Sequence, residues 1–280
     1  MMMVALQLQF DNSSLGQPQA VTPDTTTTSA TTDAGSQAKL LLLNAADPAR
    51  ASLQDFIARG FAGAYGAEVR NFMPDLLAVS ARGEWQAVLG IRSGQNQSLF
   101  VEQYLDADIC SILQSVGINT QRDEVVEIGN LFSANRQYTL LLFVVLAYAL
   151  HQLGYRQLVC CATEQVQALL QRHGLELTYL ADGDASRLGE AANSWGSYYQ
   201  SHPKVCALDL TQAMALIAQS PRLLALPRQF WPALHATVSG LSLEQAGAPV
   251  PSPETVQLHK VPALITAAKA RQFAESGVCV

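Results

Sequence analysis

The sequence predicts an α/β fold in which a mixed central sheet is flanked by helices. Residues 124–163 have the pattern of a strand, an apolar helix and a second strand, which is typical of a βαβ unit with two parallel strands. Two apolar runs at residues 76–80 and 86–92 are joined through Arg82-Gly83-Glu84, a pattern typical of an antiparallel hairpin. Parallel and antiparallel pairs together predict a mixed sheet.

The first elements of the domain precede and follow this hairpin. A short strand is predicted at residues 39–43, and Asp47-Pro48 then supplies an N-cap and a first-turn proline. A helix follows over residues 49–65. After the hairpin, residues 99–105 are either an extended piece or a turn that leads into a helix at residues 108–116.

The central unit consists of a strand at residues 124–133, a polar connection at 134–138, a very apolar helix at 139–153 and a strand at 156–163. Ligands of open α/β sheets bind beyond the carboxyl ends of such strands. We therefore expect a small-molecule site near residues 130–138 and 162–163.

The last elements complete the sheet. An amphipathic helix at residues 164–173 ends at Gly174, because glycine is favoured just after a helix. A strand at residues 175–180, a turn at 182–184, a strand at 204–210 and a helix at 211–218 are the further predicted elements.

Three regions are predicted along the chain. Residues 1–38 are rich in Ser, Thr, Asp and Ala and bury too little apolar surface to offset their ordering entropy, so a flexible leader is expected. Residues 39–218 form the folded domain. Residues 219–280 are punctuated by prolines and are expected to be an appendage with short helical pieces, such as one at 263–274.

Composition excludes several classes of protein. A net charge of −6 without basic runs argues against nucleic-acid binding. The longest apolar run, residues 140–150, is too short for a bilayer, which needs about 20 residues, so no stable membrane insertion is expected. Five cysteines without CxxC spacing indicate reduced, packed thiols in the cytoplasm. No metal-ligand spacing and no GxSxG motif occur.

Three short motifs, in order, resemble a known family. They are Phe100-Val-Glu-Gln-Tyr-Leu-Asp106, Val126-Glu-Ile-Gly-Asn-Leu131, and Trp195-Gly-Ser-Tyr-Tyr199 with Pro203 and Val205 behind it. Together they resemble the bacterial thermostable hemolysin family, which is similar to the GNAT N-acetyltransferases and the acyl-homoserine-lactone (autoinducer) synthases. The likeness spans about Leu40–Leu210, and it implies the acyl-CoA N-acyltransferase (GNAT-like) fold. The family name supplies no mechanism.

The resemblance implies that two central parallel strands part to receive the pantetheine arm of a thioester. The residues expected to bind this donor are Leu131, Phe132, Ser133, Asn135, Arg136, Tyr138, Thr139, Ala162 and Thr163. The connection at residues 133–139 contains no glycine, which makes a close approach to a pyrophosphate harder. An acyl carrier protein is therefore favoured over CoA as donor. No tightly bound cofactor is expected, with acyl-ACP or acyl-CoA as co-substrate.

The catalytic candidates are Glu127, Asn130, Tyr198 and Tyr199. Glu127 on an apolar strand suits a general base with a raised pKa, and the alternative is a structural carboxylate bonded to backbone or Arg. Asn130 stands where the autoinducer synthases have arginine in a similar motif. A tyrosine hydroxyl would protonate the departing thiolate, whereas core packing is the alternative for these aromatic residues.

Glu102, Tyr104 and Trp195 are the candidates for binding the acceptor amine, and the alternatives for them are a solvated acid and pocket walls. The sequence thus predicts an N-acyltransferase that moves a fatty acyl group from a carrier-protein or CoA thioester to a small amine, such as an amino acid derivative. Two other functions stay open at this point. One is direct membrane lysis, and the other is a catalytically inactive acyltransferase fold that serves as a binding module.

Overall fold

A computed structural model describes residues 38–95 and 97–226, together with Phe230 and Leu241. Its centre is a seven-stranded sheet in the order β1-β2-β3-β4-β5-β7-β6. The strands are β1 (Lys39–Leu43), β2 (Asp75–Ala81), β3 (Glu84–Ser93), β4 (Val125–Ser133), β5 (Gln157–Ala162), β6 (Thr178–Asp182) and β7 (Lys204–Asp209).

The sheet is mixed, as the sequence predicts. β4 and β5 run parallel, whereas the other neighbouring strands pair antiparallel. The β2–β3 hairpin and the parallel β4–β5 pair are both confirmed. The last strand in the described residues, β7, lies between β5 and β6, so the edge position belongs to β6.

Six α-helices and four 3-10 helices flank the sheet in the described part of the chain. The α-helices are α1 (Arg50–Tyr65), α2 (Ile109–Ser115), α3 (Arg136–Gln152), α4 (Glu164–Arg172), α5 (Leu210–Gln219) and α6 (Pro221–Ala225). The 3-10 helices are Phe100–Tyr104, Arg122–Glu124, Ala185–Trp195 and Tyr198–Ser201. None of these helices is long and apolar enough to cross a bilayer.

Two apolar cores lie on opposite faces of the sheet. The α3 core contains Leu142 and Leu146 of the apolar helix together with Ile217 of α5. The α1 core contains Ile57 of α1 together with Tyr104 and other aromatic residues of the 3-10 helices. Both central strands are buried along their whole length, β4 over Val125–Ser133 and β5 over Gln157–Ala162. A site beside these strands is therefore shielded from water on both faces.

Adjacent residues of β5 face different cores, as the alternation of a strand requires. Cys160 belongs to the α3 core and Cys161 to the α1 core. These two thiols therefore cannot serve one site. Both are free cysteines, and burial raises the pKa of each thiol well above its usual range, so neither is a ready nucleophile.

Two predicted element boundaries are wrong by three residues. α3 begins at Arg136 instead of residue 139, because the Asn135 side chain accepts a hydrogen bond from Gln137 N at 3.2 Å and caps the helix there. β6 begins at Thr178 instead of residue 175, because the Leu175 N–H still bonds to Leu170 O at 3.2 Å. Gly174, whose φ is 82°, ends helix α4, as predicted.

Several predicted segments lie outside the described residues. They are residues 1–37 of the leader and the greater part of the appendage, including the helical piece at 263–274. The domain boundaries at residues 38 and 218 accordingly stay a prediction.

Candidate functional site

The two central parallel strands part after a short paired stretch. Within the described residues their ladder consists of Val125–Gln157, Val126–Leu158 and Glu127–Val159. β4 continues beyond it to Ser133 and β5 continues to Ala162. Each strand stays paired on its other edge, β4 with β3 up to Ser133 and β5 with β7 up to Ala162. The β4–β5 ladder therefore ends at Glu127–Val159 although both strands continue, and we call the unpaired region beyond it the split, with Glu127 at its apex.

Glu127 is a buried carboxylate with two backbone partners. Its side chain is 1% exposed. Phe100 N donates to Glu127 Oε2 at 2.8 Å, and Val101 N donates to Glu127 Oε1 at 2.9 Å. The carboxylate therefore holds the start of the 3-10 helix Phe100–Tyr104 against β4. These are the structural bonds that the sequence left open as an alternative to catalysis.

The protonation of Glu127 is set by its burial. Desolvation raises the pKa of Glu127 to about 7, against the opposing effects of the two N–H bonds and of the Arg92 guanidinium 4.0 Å away. Arg92 lies on β3 directly opposite Glu127 in the ladder. Arg92 is not among the residues that the sequence predicts for the site, because only the register of β3 against β4 brings it to Glu127. A carboxyl with a pKa near neutrality suits proton transfer.

Asn130 lies on the part of β4 that has left β5. It is fully buried, with a φ of 47°, in the left-handed region that asparagine tolerates better than most residues. Its Oδ1 accepts a hydrogen bond from Met73 N at 2.8 Å. Its Nδ2 is buried and has no hydrogen-bond partner among the described residues.

The tyrosines cluster on the α1 face of the split. The hydroxyls of Tyr104 and Tyr199 lie 2.8 Å apart. The Tyr198 hydroxyl donates to the backbone oxygen of Cys161 at 3.3 Å, beyond the last β4–β5 pair. Burial raises the pKa of all three phenols, so they are neutral hydroxyls that can donate hydrogen bonds. Tyr199 is half-buried, whereas Tyr198 is fully enclosed.

The predicted donor-binding residues surround the far end of the split. Leu131, Phe132 and Ser133 are buried on β4, and Ala162 is buried at the end of β5. Thr139 of α3 and Thr163 before α4 are each 0% exposed, and neither hydroxyl has a partner among the described residues. Such orphaned buried groups are uncommon in folded proteins. Asn135 caps α3, Arg136 is exposed, and Tyr138 is half-buried.

The predicted acceptor residues do not come together. Glu102 accepts Arg122 Nη1 at 2.6 Å and Arg122 Nη2 at 2.8 Å, as well as the N–H groups of Leu99 and Ile109. Trp195 is buried in the α1 core, where its ring meets those of Phe61 and Tyr198. Tyr104 belongs to the cluster beside the split through its pair with Tyr199, and Trp195 adjoins that cluster through Tyr198.

The family of this chain follows from its central part. Residues 43–214 match the family model described as thermostable hemolysin. The chain belongs to the thermostable hemolysin family. The resemblance carried by the three motifs is thereby confirmed. No curated protein matches the sequence of this family member.

Solved structures of similar shape are remote in sequence. The AHL synthase LasI has a TM-score of 0.45 and 12% identity over 63% of this hemolysin-family chain and 91% of LasI. TofI in an apo form has a TM-score of 0.45 and 16% identity over 66% of this chain and 99% of TofI. FeeM, an N-acyl amino acid synthase from uncultured soil microbes, has a TM-score of 0.41 and 13% identity, over 62% and 91%.

Three cavities of this hemolysin-family protein can be described, and Glu127 lines none of the three. One is a narrow apolar cavity between α3 and α5, bounded by Phe143, Val144, Leu158 and Ile217 among others. A polar groove contains Glu102 and Arg122, and a third cavity lies beside Trp195. In the described part of the chain, no three His, Cys, Asp or Glu side chains form a cluster that could hold a metal ion.

Proposed function

We propose that this protein is an N-acyltransferase that moves a fatty acyl group from a thioester carrier to a small amine. The observation that carries the proposal is the split between β4 and β5, which ends on the buried carboxylate of Glu127. A pantetheine arm is slender and rich in amide groups, so it suits a gap between two strand edges whose backbone groups lack a neighbouring strand.

The chemistry follows from the groups beside the split. The amine nitrogen attacks the thioester carbonyl carbon, the C–S bond breaks, and the thiolate leaves with its electron pair. Glu127 takes the proton that the amine loses, and its pKa of about 7 lets it do so near neutral pH. A hydroxyl of the Tyr104–Tyr199 pair donates a hydrogen bond to the leaving thiolate, which then takes a proton from solvent. The reaction is direct, without an acyl-enzyme.

The acyl chain needs an apolar environment, and α3 offers one. The narrow cavity between α3 and α5 is lined by aliphatic and aromatic side chains, with Leu140, Phe143 and Ala147 of α3 on one wall. Leu158 of β5 forms part of the opposite wall. Burial of methylene groups against such side chains contributes about 0.8 kcal/mol for each CH₂. We assign the acyl chain to this side of the sheet.

The start of α3 favours a donor with a single phosphate. Gln137 N already donates to Asn135 Oδ1 at 3.2 Å, and Tyr138 N donates to Asn135 O at 3.1 Å. Helix N-termini bind phosphates through free N–H groups, and two of these groups are engaged here. The exposed Arg136 remains for one phosphate group. This supports an acyl carrier protein over CoA as the partner that presents the chain, and a cytoplasmic location fits such a partner.

A second function has an observation in its favour. Both oxygens of Glu127 already accept backbone N–H groups, and these bonds stabilise the fold without any catalysis. A protein that binds an acyl thioester in the split and transfers nothing would have the same contacts.

The deciding experiment follows thiol release by the purified full-length chain. Acyl carrier proteins and acyl-CoAs of several chain lengths are mixed with a panel of small amines, and intact mass identifies the N-acyl product. We expect amine-dependent release, faster with the carrier protein, and a loss of about 10²–10⁴-fold in Glu127→Gln. Binding without release would favour the binding module. Lysis by the purified protein without any thioester would favour direct membrane action.

A further inference from the structure

A bulge in β4 places Asn130 on the same face as Glu127. Gly90 pairs with Gly129 and Val88 pairs with Phe132, so β4 has one residue more than β3 over this stretch. In a regular strand, residues three apart face opposite sides. Here Glu127 bonds to backbone N–H groups of the α1 core, and Asn130 bonds to Met73 of the same core.

The orientation of the Asn130 amide is fixed by its surroundings. Met73 N is a donor, so the amide must turn Oδ1 toward it, and its NH₂ group must point elsewhere. Met73 is held in turn by Arg50, whose Nη2 donates to Met73 O and whose Nη1 donates to Pro74 O at 2.7 Å. A Cβ on Gly90 would lie 2.6 Å from Met73 Cβ and 3.1 Å from Asn130 Oδ1. Glycine is therefore needed beside this arrangement.

A buried arginine, a glycine and a left-handed backbone conformation thus fix the position of one amide group. The NH₂ of this amide bonds to nothing among the described residues. A buried donor without a partner costs free energy comparable to a lost hydrogen bond, and such groups call for an explanation. Asn130 lies past the last β4–β5 pair, beside the split and on the side of Glu127.

We propose that Asn130 Nδ2 donates a hydrogen bond to the carbonyl oxygen of the acyl thioester. This inference rests on the proposed function and deepens it. When the amine attacks, the carbonyl π electrons move to oxygen, and the amide stabilises the negative charge that develops there. Asn130 gives up no proton. The oxygen's charge returns to the carbonyl bond as the C–S bond breaks, and the amine's proton goes to Glu127.

Two substitutions separate this role from a structural one. Asn130→Asp keeps the acceptor for Met73 N and loses the NH₂ group. Asn130→Gly suits the positive φ and introduces no charge near Glu127. We expect kcat of thiol release to fall about 10²–10³-fold in both variants. Asn130→Gly should also unfold at a lower temperature, because it leaves Met73 N without its acceptor, whereas Asn130→Asp retains that bond. If both variants keep kcat within about threefold of the wild type, the proposal is wrong.

A binding measurement tests the same hydrogen bond without turnover. The probes are octanoyl-pantetheine, which has the thioester carbonyl, and octyl-pantetheine thioether, which lacks it. The wild type should bind the thioester at least about fivefold more tightly than the thioether, and Asn130→Gly should lose this preference. Equal discrimination in both proteins, or no binding of either probe to the wild type, would overturn the role of Asn130. Discrimination in a wild type that releases no thiol with any amine would instead overturn only the transferase.

Discussion

Glu127 and Glu102 both accept backbone N–H groups at the start of the 3-10 helix Phe100–Tyr104, to which Glu102 itself belongs, and their environments differ. Glu102 accepts the N–H groups of Leu99 and Ile109 and is paired with Arg122 Nη1 at 2.6 Å, in a half-buried position beside a polar groove. Glu127 accepts two N–H groups as well, but it is 1% exposed, and its nearest guanidinium, that of Arg92, is 4.0 Å away.

The pKa values of the two carboxyls move in opposite directions for this reason. The pKa of Glu102 is lowered: burial raises it, but the Arg122 hydrogen bonds, the backbone N–H groups and the charge of Arg122 together outweigh that effect. At Glu127 the effect of burial is larger than that of the hydrogen bonds and of Arg92, and it raises the pKa to about 7. A carboxyl with a close cation serves stability, whereas one that is buried with a distant cation keeps its proton available for exchange near neutral pH.

The largest expected effect is on the pH dependence of stability. The folded-state pKa of Glu127 lies above its unfolded value of 4.5, so the folded state binds more protons between about pH 4.5 and 7. The contribution of Glu127 to the free energy of unfolding is therefore present at low pH and falls by about 3 kcal/mol as pH rises through 7. Relative to the wild type, Glu127→Gln should gain this amount between pH 4.5 and 8, as measured by urea unfolding.

Glu102→Gln is the matched control for that measurement. Because the folded-state pKa of Glu102 is lowered, its contribution is present above the unfolded value and is lost as pH falls through the folded value. The stability of Glu102→Gln relative to the wild type should therefore decline with rising pH, which is the opposite slope. The stability difference from the wild type could change with pH in the same direction for both variants, or stay constant for Glu127→Gln. Either result would contradict the opposite pKa shifts of the two carboxyls.

The sequence predicts the central strands and the position of Glu127 because local signals decide them. The apolar run before α3 and the polar residues between β4 and α3 indicate the βαβ unit, and Arg82-Gly83 marks the hairpin. Parallel pairing agrees with the structure for the same reason, since the strand–helix–strand pattern is read from consecutive residues. The parting of the strands near Asn130 is expected from the family resemblance and not from any local signal.

What the sequence does not predict depends on distant pairing. Phe100 and Val101 bond to Glu127 across 27 and 26 residues, and no local pattern indicates that contact. The bulge at Asn130 depends on Gly90 and on Met73, which approach from other strands and loops. Glu102 was expected to bind the acceptor amine, and its pair with Arg122, 20 residues later, was not foreseen. That expectation stays a prediction.

A smaller effect is expected when the ion pair of Glu102 is removed. Arg122→Met keeps the length of the side chain and loses the guanidinium, which also donates to Gln97 O at 2.9 Å. Because the pair is half-buried, we expect unfolding free energy to fall by about 1–2 kcal/mol and the pKa of Glu102 to rise. A double-mutant cycle with Glu102→Gln measures the coupling. Additive losses would show that the N–H bonds alone hold Glu102.

The smallest effect is expected at Thr163, a residue beside the split that we assign to binding of the acyl donor. Thr163→Val removes a buried hydroxyl without a partner among the described residues and keeps the shape of the side chain. Unfolding free energy should therefore stay the same or rise by up to about 1 kcal/mol, whereas KM for the acyl donor should increase a few-fold because a bond to the bound arm is lost. Thr163→Ser, which retains the hydroxyl, is the control and should keep the wild-type KM. A stability loss in Thr163→Val with unchanged KM would mean that the hydroxyl stabilises the fold. The thioester arm would then have no polar contact with Thr163 at the end of β5.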